Sequence, residues 1–123
     1  MESTITLGII DDSITVRESF AKFLAARGVN IVFVAENGCD GLEKLAACNK
    51  VPDTCLLDVE MPELDGFETA VRIKTRFPNV KIVMYSMAVD KYDERKAIAA
   101  GADMLLSKGG DIDDLIKAIS VNK

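Results

Sequence analysis

Five short apolar runs divide the chain, and each run ends where polar residues begin. They lie at positions 5–10, 31–35, 54–57, 81–85 and 104–107, and they are rich in Ile, Val and Leu without regular alternation of polar and apolar residues. Runs of this kind are typical of parallel strands that are buried on both faces of a sheet. The pattern therefore predicts five strands in the interior of the fold.

The longer stretches between these runs show helical spacing of apolar residues, as in Val16, Phe20 and Leu24. Four helix starts are marked by a candidate cap residue followed three positions later by an acid: Asn37 with Asp40, Asp65 with Glu68, Asp90 with Asp93, and Asp111 with Asp114. Strands that alternate with helices through short connections predict an α/β fold with helices on both faces of a parallel sheet. We expect one domain over residues 1–123.

The amino-acid composition argues against several classes of function. The 123 residues include no histidine, which excludes histidine-based catalytic triads and most zinc chemistry. A net charge of −5 argues against direct binding to nucleic acid or to an anionic membrane surface. No apolar run approaches the roughly 18 residues of a membrane span, and the N-terminus does not resemble a signal peptide, so we expect a cytoplasmic protein.

Polar residues that could take part in catalysis or metal binding stand at the ends of four of the apolar runs. Asp11 and Asp12 follow the first run, Asp58 ends the third, Ser86 ends the fourth and Lys108 follows the fifth. The carboxyl ends of parallel strands meet at one edge of the sheet, where ligands bind in open α/β folds. The sequence therefore predicts that these five residues converge at one rim.

Three clustered acids favour a bound cation. Two carboxylates about 5 Å apart repel by roughly 3 kcal/mol at an effective dielectric of about 20. A hard divalent ion offsets this repulsion, and Mg²⁺ suits a few carboxylates together with water and phosphate oxygens. A dedicated calcium loop is disfavoured because Asp11 and Asp58 come from separate loops without EF-hand spacing.

Three of the five residues also have an ordinary structural explanation. Asp12 could cap the helix that begins near Ser13, Ser86 could be a turn residue, and Lys108 could be a solvated surface lysine. Their joint placement at strand ends is what favours a site that holds a phosphoryl group beside a metal ion.

The residues at these positions resemble the receiver domains of two-component response regulators, over essentially the whole chain. The matching segments are Ile-Ile-Asp-Asp-Ser at 9–13, Leu-Asp-Val-Glu-Met-Pro-Glu-Leu-Asp-Gly at 57–66, Tyr85-Ser86, and Gly101-Ala102-Asp103 leading to Lys108. The resemblance implies a flavodoxin-like, doubly wound (βα)5 fold with strand order 2-1-3-4-5.

The same resemblance implies a role for each site residue. Asp58 is the phosphoacceptor, Ser86 and Lys108 are partners of the phosphoryl group, and the Mg²⁺ ligands are Asp11, Asp12, Asp58 and the backbone carbonyl of Glu60. The phosphoryl group would come from the phosphohistidine of a partner histidine kinase or histidine phosphotransfer protein. Apart from its own phosphorylation and dephosphorylation, the chain would catalyse no reaction.

The resemblance also implies an output. Phosphorylation would change the surface of the last two helices and the strand between them, residues 91–121, for an output domain or an effector protein. Dimerisation on phosphorylation and a link to transcription regulation are left open.

Three residues depart from the common receiver pattern. Leu105 stands where many receivers have a switching aromatic residue, so aromatic rotation is not expected as the signal. Gly109 replaces a frequent proline, which disfavours a cis peptide bond after Lys108. Met87 is bulkier than the small residue common after Ser86, and it is expected to restrict access to the site.

Two other classes of function stay open from sequence. A haloacid-dehalogenase-type phosphatase also forms an aspartyl phosphate, but that family needs an aspartate two residues after the nucleophile, where this chain has Glu60. An interaction module that never carries phosphate is the other alternative. Flavin binding is disfavoured because no phosphate-cradling loop follows Ile10.

Overall fold

A computed structural model describes residues 4–87, 91–107 and 110–120, without the side chains of residues 91 and 92. Within these ranges the strands are β1 (Thr6–Ile10), β2 (Asn30–Ala35), β3 (Thr54–Asp58), β4 (Lys81–Ser86) and β5 (Met104–Ser107). The helices are α1 (Ile14–Ala25), α2 (Gly38–Ala47), α3 (Gly66–Arg76), α4 (Lys91–Ala99) and α5 (Ile112–Ser120).

The five strands form one parallel sheet in the order β2-β1-β3-β4-β5. This order confirms the predicted flavodoxin-like arrangement. Strand β3 lies at the centre of the sheet, and every residue from Thr54 to Asp58 is buried. The sheet therefore carries the end of β3 into the middle of the rim where the predicted site residues were expected.

Helices cover both faces of the sheet, as predicted. Leu24 of α1 and Leu115 and Ile119 of α5 pack with the side chains of one face. Leu45 of α2 and Ile73 of α3 pack with those of the other. None of the helices in the described ranges is long and apolar enough to cross a bilayer.

The caps that the structure describes explain where the helices begin. The side chains of Asn37 and Asp65 accept hydrogen bonds from the backbone N–H groups of Asp40 and Glu68, which confirms two predicted starts. Helix α1 is capped by Ser13 rather than Asp12. The cap predicted at Asp90 lies outside the described residues. Because Ser13 is the cap, the Asp12 side chain is not needed to cap helix α1.

The edge strands correct the expectation that all strands are buried on both faces, because alternate residues of β2 and both end residues of β5 are exposed. Strand β2 is also irregular. Its register with β1 shifts between Leu7 and Gly8, which pair with Ile31 and Phe33. The intervening Val32 is 39% exposed. An extra residue in one strand leaves the ladder unpaired at that point, and an edge strand has a neighbour on one side only.

Gly66 allows helix α3 to start directly against the end of β3. A Cβ atom at this position would lie 2.2 Å from the backbone oxygen of Asp58 and 2.7 Å from the Cα atom of Val59. The Gly66 N–H donates to the backbone oxygen of Val59 at 3.0 Å. Both obstacles are backbone atoms, so a side chain here would have to displace the segment that carries Asp58.

Replacing Gly66 with alanine is expected to lower the free energy of unfolding by about 1–3 kcal/mol, the usual cost of overpacking. Gly41→Ala is the matched control, because its Cβ would meet the flexible Cδ1 end of Ile10 at 2.5 Å, and alanine favours the helix. Urea denaturation of both variants measures the difference. Equal losses in the two variants would contradict the importance of this backbone contact.

Candidate functional site

The predicted residues lie where strands of the sheet end at the same edge. Asp58 is the last residue of β3, Ser86 is the last residue of β4, and Asp11 directly follows β1. The hydrogen bonding of the sheet continues past the strand ends, since the N–H of Asp11 donates to the backbone oxygen of Ala35 at 3.1 Å. Asp11 and Asp58 are therefore held by sheet backbone rather than by loops.

Three carboxylates meet at this edge. Asp11, Asp12 and Asp58 each offer one carboxylate oxygen, and these oxygens lie within 4.8 Å of one another. Asp11 and Asp58 are fully buried, whereas Asp12 is exposed. A small group of acidic oxygens with one open side matches what a hard divalent cation such as Mg²⁺ requires, so the residues fit the predicted metal.

Besides the hydrogen bond that its N–H donates to Ala35, Asp11 accepts three hydrogen bonds from the described residues. Its Oδ1 atom accepts from the N–H of Ser13 at 2.7 Å, and its Oδ2 atom accepts from the hydroxyl of Tyr85. Its backbone oxygen accepts from Nη1 of Arg17 at 2.8 Å. These contacts fix both the backbone and the carboxylate of Asp11 before any ligand is bound.

Tyr85 is a site residue that sequence reasoning missed. Its place beside Ser86 along β4 predicts that its side chain points away from the Ser86 side, and its ring indeed packs in the layer beneath α1 and α5. Its hydroxyl nevertheless reaches Asp11 at the rim. The pairing of Asp58 with Tyr85 across β3 and β4 places Tyr85 in the row of the acids, and this register is not readable from the sequence alone.

The hydroxyl of Tyr85 stays protonated over the physiological pH range. Burial, the hydrogen bond with Asp11, and the charges of Asp11, Asp58 and Asp12 all raise the pKa of Tyr85 well above its usual range. A neutral hydroxyl beside three acids is a permanent hydrogen-bond donor. Tyr85 therefore supports the carboxylate of Asp11 without adding charge to the site.

Asp58 is oriented by the turn that follows it. Its Oδ1 atom accepts a hydrogen bond from the N–H of Glu60 at 3.1 Å. The turn is anchored by Met61, which is 8% exposed and belongs to the hydrophobic core, and it passes through Glu63 in the left-handed region at φ 63°. A carboxylate with a fixed orientation is suited to act as a nucleophile.

The side chain of Glu60 reaches across to the end of β4. Its Oε2 atom accepts from the hydroxyl of Ser86, and its Oε1 atom accepts from the N–H of Met87 at 3.3 Å. Sequence reasoning assigned Glu60 a backbone carbonyl ligand and a place beside the site, but it did not predict this contact with Ser86. The carboxylate of Glu60 accepts the hydrogen bond of the Ser86 hydroxyl, which was expected to donate to the phosphoryl group.

Lys108 and Gly109 lie outside the described residues, so the two predictions made for them are not tested by the structure. The preceding residue, Ser107, is the last residue of β5 and pairs with Ser86. Leu105 is half-buried against the core on the face covered by α2, α3 and α4. Met87 is 73% exposed, and its effect on access to the site stays a prediction.

Comparison with known proteins places this geometry in a family. The model of the response regulator receiver domain matches residues 7–120. The sensor histidine kinase CheAY of Helicobacter pylori is 36% identical over 101 residues, covering 80% of this chain and 12% of the kinase. Protein PilG of Pseudomonas aeruginosa is 31% identical over 116 residues, covering 93% of this chain and 84% of PilG.

Solved structures agree with the sequence comparisons. A two-component response regulator of the LuxR family from Aurantimonas sp. SI85-9A1 superposes with a TM-score of 0.88 at 25% identity, covering 95% of this chain and 83% of that one. The chain spans only 12%, 32% and 52% of the length of three curated relatives. With a flavodoxin-like sheet, three acids at its carboxyl edge and a family match over residues 7–120, the chain belongs to the response regulator receiver domains of two-component signalling.

Proposed function

We propose that this chain is the phosphoacceptor switch of a two-component phosphorelay and that Asp58 carries the phosphoryl group. The observation that supports this most directly is the meeting of Asp11, Asp12 and Asp58 within 4.8 Å at the carboxyl edge of the sheet. Asp58 ends the central strand of the sheet, and its carboxylate is already oriented by the N–H of Glu60.

In the proposed reaction a carboxylate oxygen of Asp58 attacks the phosphorus of a partner's phosphohistidine. A phosphorus–oxygen bond forms and the phosphorus–nitrogen bond breaks. The imidazole of the partner keeps the electron pair of the broken bond and takes up a proton. Dephosphorylation is the attack of water on the same phosphorus, which releases inorganic phosphate and restores the carboxylate. The chain thus acts only on its own phosphoryl group.

We propose Mg²⁺ as the cation, held by Asp11, Asp12, Asp58 and the backbone carbonyl of Glu60. When bound, the ion supplies positive charge against the acids and the phosphoryl oxygens. Ser86 and Lys108 are the proposed partners of the phosphoryl oxygens, one through its hydroxyl and the other through its ammonium group.

Release of Ser86 from Glu60 would be part of the switch. The phosphoryl group and the Glu60 carboxylate would compete for the same hydroxyl, and both are anionic. A hydrogen bond to a charged group is worth roughly 1.5–3 kcal/mol, so the unphosphorylated state has a defined contact that must be replaced. The loop after β4 would follow Ser86, which is how we propose that the change reaches residues 91–121.

The proposed donor is a histidine kinase or a histidine phosphotransfer protein, because the chain has no histidine of its own. The proposed recipient of the signal is an output domain or an effector protein. The sensor histidine kinase and the LuxR-family response regulator among the relatives support this setting. A kinase that draws on cellular ATP places the phosphorelay in the cytoplasm, and dimerisation on phosphorylation would be one form of output.

Incubation with acetyl phosphate and Mg²⁺ is expected to add one phosphoryl group to the chain, and Asp58→Asn is expected to abolish the gain. An asparagine side chain has no nucleophilic oxygen of comparable strength. Intact-mass spectrometry measures the modification, and chelation of the metal should prevent it. Asp113→Asn is the matched control, because Asp113 lies exposed on α5.

The result that would overturn the proposed function is a wild-type mass that stays unchanged under conditions that phosphorylate a known receiver. Retention of the full gain by Asp58→Asn would move the phosphoacceptor to another residue.

Glu60→Gln is expected to speed phosphorylation by acetyl phosphate about fivefold. Glutamine keeps the size of the side chain, but a neutral hydrogen bond is weaker than a charged one by about 1 kcal/mol, and the donor anion is no longer repelled. The initial rate of mass gain at saturating Mg²⁺ measures the effect.

Glu63→Gln is the control for this experiment. It removes the same charge from an exposed position of the same turn, away from Ser86. Equal acceleration in the two variants would assign the effect to net charge alone. An unchanged rate in Glu60→Gln would show that the contact with Ser86 does not restrain the reaction.

A further inference from the structure

We propose that Tyr85 is a positioning residue for the metal site, whose buried hydroxyl orients the carboxylate of Asp11 toward the cation. This inference rests on the proposed function, since it assigns Tyr85 a role in the affinity for Mg²⁺. It concerns a residue that none of the predicted site roles includes.

The ring of Tyr85 is fixed in the core. It is 2% exposed, and it meets the ring of Phe20 edge-on, with ring centroids 5.2 Å apart and an interplanar angle of 89°. An aromatic ring held from the side by a second ring has little freedom to rotate its hydroxyl away. The position of the hydroxyl is therefore set by the packing of α1 against the sheet.

The sheet register explains why this hydroxyl reaches Asp11. Tyr85 pairs with Asp58 across β4 and β3, and Ile10 pairs with Leu57 across β1 and β3. Asp11, Asp58 and Tyr85 therefore follow one another in a single row across three strands. Neighbouring strands lie about 4.8 Å apart, so Tyr85 is roughly 10 Å from Asp11 along the backbone row, a distance that the two side chains bridge together with the hydrogen bond between them.

The hydrogen bond leaves Asp11 able to hold a cation. A carboxylate oxygen has two lone pairs, and Oδ2 uses one for Tyr85 while Oδ1 uses one for the N–H of Ser13. Donors on both oxygens fix the rotation of the carboxylate about its bond to Cβ. The remaining lone pairs then point in set directions, which lowers the ordering cost when a metal ion binds.

An ordinary explanation is that Tyr85 fills the core and its hydroxyl takes the nearest acceptor. The two explanations differ in what the hydroxyl does for metal binding. Hydrogen-bond partners of metal ligands typically contribute a factor of about 10–100 to metal affinity. A hydroxyl that is only a satisfied core group contributes nothing to it.

Tyr85→Phe separates the two explanations, because phenylalanine keeps the ring and its contact with Phe20 and removes only the hydroxyl. Isothermal titration calorimetry with MgCl₂ alone is expected to show an affinity about tenfold weaker than wild type. Thr69→Val is the matched control. It removes a buried hydroxyl that donates to the backbone oxygen of Asp65, and its Mg²⁺ affinity is expected to equal that of wild type.

A kinetic measurement gives a second readout. The rate of phosphorylation by acetyl phosphate in Tyr85→Phe should reach the wild-type value at saturating Mg²⁺, while the Mg²⁺ concentration for half-maximal rate rises about tenfold. A merely structural role would lower the rate at every metal concentration.

Tyrosine absorbance tests the inference without altering Tyr85. The chain contains two tyrosines and no tryptophan, so Tyr92→Phe leaves Tyr85 as the sole tyrosine. Binding of Mg²⁺ to Asp11 draws electron density from the carboxylate and weakens it as an acceptor. The absorbance band of Tyr85 should then shift to shorter wavelength, with the same Mg²⁺ dependence as the calorimetric titration.

The outcomes are distinguishable. Wild-type protein that shows no Mg²⁺ binding overturns the metal site and the role of Tyr85 together. Wild-type binding with equal or tighter affinity in Tyr85→Phe overturns the role of Tyr85 alone. If Tyr85→Phe does not fold, the absorbance titration of Tyr92→Phe decides, and an unshifted band at saturating Mg²⁺ overturns the inference.

Discussion

The mutual repulsion of three carboxylates is the constraint around which the rim of this domain is built. Asp11, Asp12 and Asp58 bring acidic oxygens within 4.8 Å of one another, and two of the three side chains are fully buried. Charges placed this close in a partly desolvated site cost several kcal/mol unless something compensates them. The packing of the sheet offsets this repulsion. Asp58 ends β3 and Asp11 directly follows β1, and the hydrophobic layers on both faces of the sheet hold these strands in place.

Compensation comes first from hydrogen-bond donors that carry no charge. The N–H of Ser13, the hydroxyl of Tyr85 and the N–H of Glu60 all point at carboxylate oxygens of Asp11 or Asp58. Neutral donors stabilise a carboxylate without cancelling its charge. A site of this kind is ordered before a cation arrives and still attracts one.

Sequence predicted the parts of the molecule that follow from periodicity and from strand ends. The five apolar runs became β1 to β5 with shifts of no more than one residue at either end, and the strand order agreed with the resemblance. The bulge at Val32 was missed because one extra residue in a strand leaves no mark on an apolar run. The contact of Tyr85 with Asp11 was missed because alternation along β4 predicts only the face that the side chain takes, whereas the lateral register comes from the paired sheet.

The contact between the Glu60 carboxylate and Ser86 was missed for a different reason, and that reason bears on switching. Nothing in the spacing of Asp58 and Glu60 shows that a surface glutamate turns back onto Ser86. Because it does, the domain without a phosphoryl group has its own specific hydrogen bond, between Glu60 and Ser86, that the proposed phosphorylated state would lack. A ligand shifts an equilibrium between two such states only by its differential affinity for them. In the proposed switch a phosphoryl group on Asp58 supplies that difference, since it offers Ser86 a new acceptor and repels the carboxylate that held the old contact.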